Sequence, residues 1–182
     1  MTGPAGPGDV VAFWVDAGPD KWFSKDARFD AEIRARFGEA VAAARRGELD
    51  AWAETAEGSL ALLLLLDQCP RNLFRDSPDA YASDEKARAV ADRAVARGFD
   101  ALYPPPLRRF FHTPFMHSEA LADQERSVAL ARDGADPDAL HWAEHHRDIV
   151  RRFGRFPHRN SILGRATTPE ERRFLDEDGF TG

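Results

Sequence analysis

One cysteine, Cys69, stands among the 182 residues, which excludes an internal disulfide framework and fits a reducing compartment. Long apolar runs are missing: the longest, Leu60 to Leu66, is far shorter than the ~20 residues a membrane helix needs. Basic charge is in deficit, with 25 Lys and Arg against 31 Asp and Glu, so a role in coating nucleic acid is not expected. The opening MTGPAGPGD has neither a basic nor a strongly apolar stretch. No secretory signal is expected from it, and the cytoplasm is the expected location. No stretch reads as a linker, because glycines and prolines fall singly at the ends of periodic segments. A single domain over residues 1–182 follows, with residues 1–8 expected to be disordered.

Period-two alternation is absent as well. Apolar residues recur instead at three and four, and at 43 % of the chain they suffice for a core. Phe29, Ile33, Phe37, Val41 and Ala44 lay one stripe on a helix from Asp26 to about Arg46. Val10 to Val15 predicts a short helix before it. Leu60 to Leu66 predicts a helix from Ser59 to Gln68 that is apolar all round, and so wrapped on every side. Pro70 reads as barring its continuation. Ser83 or Asp84 caps a helix that Gly98 stops. Thr113-Pro114 and Asp136-Pro137 read as N-cap and first residue of helices reaching about Ala131 and Phe153. Thr168-Pro169-Glu170-Glu171 is a capping box that opens a last helix. Short connections predict antiparallel neighbours, so the expected fold is all-α, a compact stack of antiparallel helix hairpins. A repeat of about 34 residues is not visible.

Polar residues fall in apolar places at four points. At ~100° per residue, Ala139, Trp142, Ala143, His146, Ile149, Val150 and Phe153 share one inward stripe. His146 is then either a satisfied core histidine or a site residue. His141 to His145 matches the H-x-x-E-H pattern of inverted zinc peptidases, but this pair faces away from the stripe, so a solvated face is favoured and no metal is assigned. A spacing of four, three and four puts His117, Leu121, Gln124 and Val128 on one face of the preceding helix. Buried polar groups cost roughly 1–3 kcal/mol unless hydrogen-bonded, so several together form a network or line a pocket.

The third point is the run RRFGRFPHRNSILGR, which sets Arg155, His158, Arg159 and Asn160 among Phe153, Phe156 and Ile162. Such a loop holds a small anion through charge-assisted bonds, or its arginines cap helix ends and pair with carboxylates; both readings stand. The fourth is Asp67-Gln68-Cys69-Pro70-Arg71-Asn72, at the exit of the leucine helix. Asp67 and Arg71 either pair structurally or reach a cleft. Cys69 lies where the helix dipole disfavours a thiolate, so it is not expected to be a nucleophile.

The stretches VVAFWVDAGPDKWFSKDARFDAEIRARF, GELDAW, LLLLLDQCPRNLFRDSPDAYASD, FFHTPFMHSEALADQERSV and HRDIVRRFGRFPHRNSILGRATTPEE resemble a bacterial family of unknown function, domain family 924. The resemblance runs along nearly the whole chain. It implies an all-helical fold of the tetratricopeptide-like superfamily, and it implies no activity. Asp67, Gln68, Arg71 and Asn72 match its polar motifs in one block, and His117, Glu119, Asp123, Gln124, Arg126 and Ser127 in the next. His146, Arg147, Asp148, Arg155, His158, Arg159 and Asn160 match in the last. His141 and His145 do not match. Cys69 stands where the family has phenylalanine, which suits a small apolar filler.

Two functional readings follow. In the first, a small-molecule-binding protein or enzyme builds an internal pocket for a small carboxylate or phosphate. His117, His158 and His146 supply groups that titrate near neutrality, and Asp67 or Glu119 orients a histidine. Arg71, Arg155 and Arg159, with Asn72, Gln124 and Asn160, hold the anion. No cofactor is called for. In the second, a non-enzymatic interaction module presents a groove to a peptide or helix, with Trp14, Trp22, Phe23, Phe29 and Phe37 either lining it or packed in the core. A buried network that only specifies the fold is a third possibility. The first reading predicts that His117, His158, Arg155 and Arg159 converge.

Overall fold

The computed structural model describes residues 5–178 and residue 180. α1 (Pro7–Ala17) and α2 (Pro19–Trp22) lead into α3 (Ala27–Arg46), whose N-cap Asp26 accepts from the backbone N–H groups of Arg28 and Phe29. α1 starts earlier than the apolar pattern suggests, because Pro7 suits a first helical turn. Of the disorder expected over residues 1–8, residues 1–4 lie outside the described residues, and Pro7 and Gly8 are helical. Next come α4 (Ala56–Leu63), a π-helical turn (Leu64–Gln68), α5 (Cys69–Leu73) and α6 (Asp84–Ala96). α7 (Pro105–Met116), α8 (Leu121–Asp133), α9 (Pro137–Phe153) and α10 (Pro169–Asp178) complete the order. Among the described residues there is no strand, and no helix is long and apolar enough to cross a membrane.

Neighbouring helices from α6 to α9 pack in pairs, while α4 packs against α1, α6 and α7. Every residue from Leu60 to Leu66 is 0 % exposed, as an all-apolar helix requires. Each fully buried leucine contributes ~1.5–3 kcal/mol. The N-terminal aromatics largely join this core: Phe13 stacks on Phe29 at 5.5 Å and Trp14 meets Phe110 edge-on at 5.8 Å. Phe23 alone among those five stays outside it.

Two proline boundaries fall elsewhere than the sequence suggests. Pro70 does not end the leucine helix. The N–H of Cys69 bonds to the carbonyl of Leu64, five residues back, and this wider turn lets the backbone stay helical to Leu73. Pro70 has no N–H to offer the carbonyl of Leu66, and the Ser83 hydroxyl donates to it instead at 2.7 Å. Ser83 therefore makes no capping bond to α6 with its side chain; it ties the start of α6 to the π turn.

Thr113-Pro114 does not open a helix either. Pro114 lies inside α7, which begins at Pro105 behind the N-cap Pro104. The Thr113 hydroxyl turns back to donate to the Arg109 carbonyl at 2.8 Å. Two helices thus replace the one expected. His117 ends α7 rather than sharing a face with Leu121, which is exposed. Trp142 also leaves the inward stripe, its indole half-exposed.

Candidate functional site

The π turn sets Asp67 and Gln68 at the centre of the protein, where a change in helical register re-aims side chains. His117 brings its Nδ1 to 2.7 Å from Asp67 Oδ1, and Gln68 Nε2 donates to Oδ2 at 2.6 Å. Arg71 donates to the Asp67 carbonyl at 2.7 Å and lies 3.3 Å from its carboxylate. The same guanidinium forks onto Asp84, both bonds 3.0 Å long. Burial pushes the Asp67 carboxyl up, but His117, Arg71 and Gln68 outweigh it and hold the pKa at about 2. Burial and the Arg71 charge lower the pKa of His117. An ionised carboxylate only accepts, so Nδ1 of His117 carries the proton and Nε2 keeps its lone pair.

His146 lies on the buried face of α9, its ring 6.4 Å from that of His117. Its Nδ1 is 2.8 Å from the Trp142 carbonyl oxygen, which again fixes the proton on Nδ1. Burial first, and His117 second, push His146 down to about 3. His158 is pushed to about 3 by burial and the Arg159 charge, and its Nδ1 is buried with no partner among the described residues. His146 and His158 are therefore uncharged at neutral pH, and His117 is shifted in the same direction.

Arg159 is 7 % exposed. Its guanidinium lies 4.5 Å from the Tyr81 ring centroid and 4.6 Å from that of Phe156. Its Nε is buried with no hydrogen-bond partner among the described residues. Asp84 Oδ2, already bonded to Arg71, is 4.0 Å from its Nη1. Burial and the Arg71 charge draw its pKa down to about 10, so it remains a cation at neutral pH.

The turn that carries His158 and Arg159 is held by a second polar network. Gly154, at φ 69°, ends α9 in the left-handed conformation and turns the chain back. Glu119 accepts from the Phe156 N–H at 2.8 Å and from Arg165 at 2.7 and 2.9 Å. Arg165 also donates to Asn160 Oδ1 at 3.0 Å, and Asn160 Nδ2 donates to Glu171 at 3.2 Å. Glu171 accepts a fork from Arg155 at 2.6 and 2.9 Å and closes the capping box of α10 with Thr168. Its pKa is held at about 2, first by the Arg155 hydrogen bonds.

The structure therefore gathers Asp67, Arg71, His117, His146 and Arg159, with His158 on the adjoining turn. It does not bring Arg155 to them: that guanidinium is engaged by Glu171 and by the Ala166 carbonyl. Glu119 and Asn160 belong to the same bracing network. Asn72 turns toward α3 and donates to Asp30 at 2.8 Å. Gln124 donates to the carbonyls of Met116 and Ser118, both at 2.6 Å, and so braces the turn that carries His117. Cys69 is buried, which pushes its thiol up to about 12 and leaves it unreactive. Among the described residues no three His, Cys, Asp or Glu side chains are placed to hold a metal ion.

Sequence reasoning misses Tyr81, Ser83, Asp84, Arg165 and Glu171. Ser83, Asp84 and Glu171 read as helix-capping residues and nothing more. The surplus of arginines over Arg151 to Arg165 was a usable signal: so many cations demand carboxylates, and Glu170 and Glu171 follow directly.

A family model described as "Bacterial protein of unknown function (DUF924)" matches residues 10–179. Among solved structures, that of ATU0120 from Agrobacterium tumefaciens, a protein of unknown function, is similar with a TM-score of 0.92 and 56 % identity. The match covers 94 % of this chain and 97 % of that one. No curated protein matches the chain. Matched by the family model over nearly all its length, the chain belongs to the bacterial DUF924 family.

Proposed function

We propose that the chain binds a small carboxylate or phosphate at Arg159, and that the His117–Asp67 pair serves the bound molecule as a general base. The observation that carries this reading is the Arg159 guanidinium, buried and cationic, with an Nε that has no partner among the described residues. Leaving a buried donor unsatisfied costs ~1–3 kcal/mol, more for a charged one, and a two-oxygen anion is the partner its planar fork suits. His117 has what a base requires. Asp67 fixes its tautomer and ring, leaving Nε2 to take a proton. The tetratricopeptide-like stacking of the hairpins belongs to the same proposal, with α6 to α9 as walls around the site.

Charge balance makes the reading specific. Arg71 and Arg159 offset Asp67 and Asp84, so an incoming anion adds a negative charge next to uncharged imidazoles. That charge opposes the burial and the Arg71 charge that lower the His117 pKa, so binding favours proton uptake at this imidazole. The test is thermal unfolding in acetate and in inorganic phosphate, near pH 6 and near pH 8, for the wild type and Arg159→Gln. Both anions are expected to raise the wild-type melting temperature, acetate more strongly near pH 6. At about 100 times its Kd the anion stabilises by ~2.7 kcal/mol, worth several degrees in a chain of this size. The variant is expected not to respond. Equal, flat responses in the two proteins overturn the proposal.

A further inference from the structure

Phe180 follows α10, and its ring closes a small aromatic cage. It lies 5.0 Å from His145, 5.1 Å from His146 and 5.1 Å from His158 between centroids, in each case edge to face. Phe156 stands 6.5 Å away. Edge-on geometry is what ring quadrupoles favour, and burial keeps His146 and His158 uncharged in the free protein. Two walls of the cage belong also to the anion site. Phe156 carries the Arg159 guanidinium at 4.6 Å, and His146 faces His117 at 6.4 Å. The position filled by the Phe180 ring is thus one ring removed from a buried guanidinium, across Phe156, and one ring removed from an Asp-bound imidazole, across His146. The Phe180 ring is held there by packing alone, so a ring on another molecule can exchange for it contact by contact.

We infer that this cage is the apolar half of the anion site, that the ligand is a carboxylate or phosphate bearing an aromatic ring, and that Phe180 occupies the ring position until the ligand displaces it. The inference rests on the anion-site reading above and adds the class of molecule bound. Carboxylate and phosphate share the oxyanion chemistry Arg159 would grip, and separate probes tell them apart.

The test is calorimetric titration of the full chain with phenylacetate and phenyl phosphate, each against its ringless counterpart, acetate or inorganic phosphate. Wild type, Phe180→Ala and Phe180→Leu are compared; the leucine variant keeps apolar bulk against α10 and guards against loss of folding. One of the two ring-bearing anions is expected to bind at least tenfold more tightly than its counterpart. Removing Phe180 is expected to tighten that anion by a further tenfold or so, because a competitor that fills the cage about nine-tenths of the time weakens apparent binding by that factor. Affinity for acetate and phosphate is expected to stay within about twofold in the variants. If acetate or phosphate binds but the ring adds nothing, or the variants leave ring-bearing anions unaffected, the aromatic inference is overturned and the anion site stands. If no anion binds any of the three proteins, both fall.

Discussion

Replacing His146 with leucine isolates the cost of keeping an imidazole uncharged in the interior. Burial and His117 hold the native pKa at about 3, against about 6.5 in an unfolded chain. Between those values the unfolded chain binds a proton that the native protein refuses. Wild-type stability therefore falls as the pH drops below about 6.5, and the loss levels off near 3. Near pH 5 this single group accounts for ~2 kcal/mol, at about 1.4 kcal/mol for each unit below the unfolded value. His146→Leu removes that loss. It also removes the bond to the Trp142 carbonyl, which lies inside α9 and is served by the helix ladder, so near pH 7.5 the variant is expected within ~1 kcal/mol of wild type. The assay is urea unfolding of both proteins near pH 7.5 and near pH 5. Their difference is expected to move by ~2 kcal/mol in favour of the variant at the lower pH. His158 shifts in the same direction in both proteins, first through burial and the Arg159 charge and only then through His146, so most of its contribution cancels. Parallel losses in the two proteins would refute the assignment of His146 as a buried, uncharged group.

Ser83→Ala leaves the Leu66 carbonyl without a donor beside Pro70, and urea unfolding near pH 7.5 is expected to show a loss of ~1–3 kcal/mol. A loss below about half a kcal/mol would mean that the hydroxyl does not sustain the π turn. Cys69, buried with its thiol raised to about 12, is expected to resist iodoacetamide in the native protein and to react fully in urea. Rapid alkylation without denaturant would contradict the burial.

Much of the fold is legible in the residues because its signals are local. Asp26, Asp136 and the Thr168–Glu171 box cap helices through bonds spanning two or three residues, which a sequence displays directly. The leucine run announces a wrapped helix through composition alone. The two misplaced boundaries are both prolines, and each turns on what happens elsewhere. Pro70 is tolerated because Ser83, distant in sequence, serves the carbonyl that Pro70 cannot. Pro114 is carried inside α7 because Phe110, Phe111 and Phe115 on either side of it are buried against the rest of the core.

The candidate site divides along the same line. His146 is legible as a histidine on an apolar stripe, and Asp67 as a carboxylate at the end of a buried helix. Nothing in the spacing tells Arg159 from Arg155, four residues apart in one run of cations. Their difference is set by partners: Glu171 takes Arg155 in a fork, whereas Arg159 lies against Tyr81 and Phe156. Arginine and aromatic positions can be read from a sequence, but which cation finds its carboxylate is decided by packing.

Glu171 is joined at once to Thr168, just before its own helix, and to Arg155 and Asn160 around the turn that bears Arg159. Synthesis runs from the N-terminus, so Asp67, His117 and His146 leave the ribosome well before this carboxylate does. A nascent chain can pack its leucine helix early, and Glu119 is there to hold the Phe156 N–H, but the loop carrying Arg159 and His158 lacks its second carboxylate until Glu171 emerges. The basic edge of the site is thus fastened last, after the acid and the imidazoles it faces have been delivered.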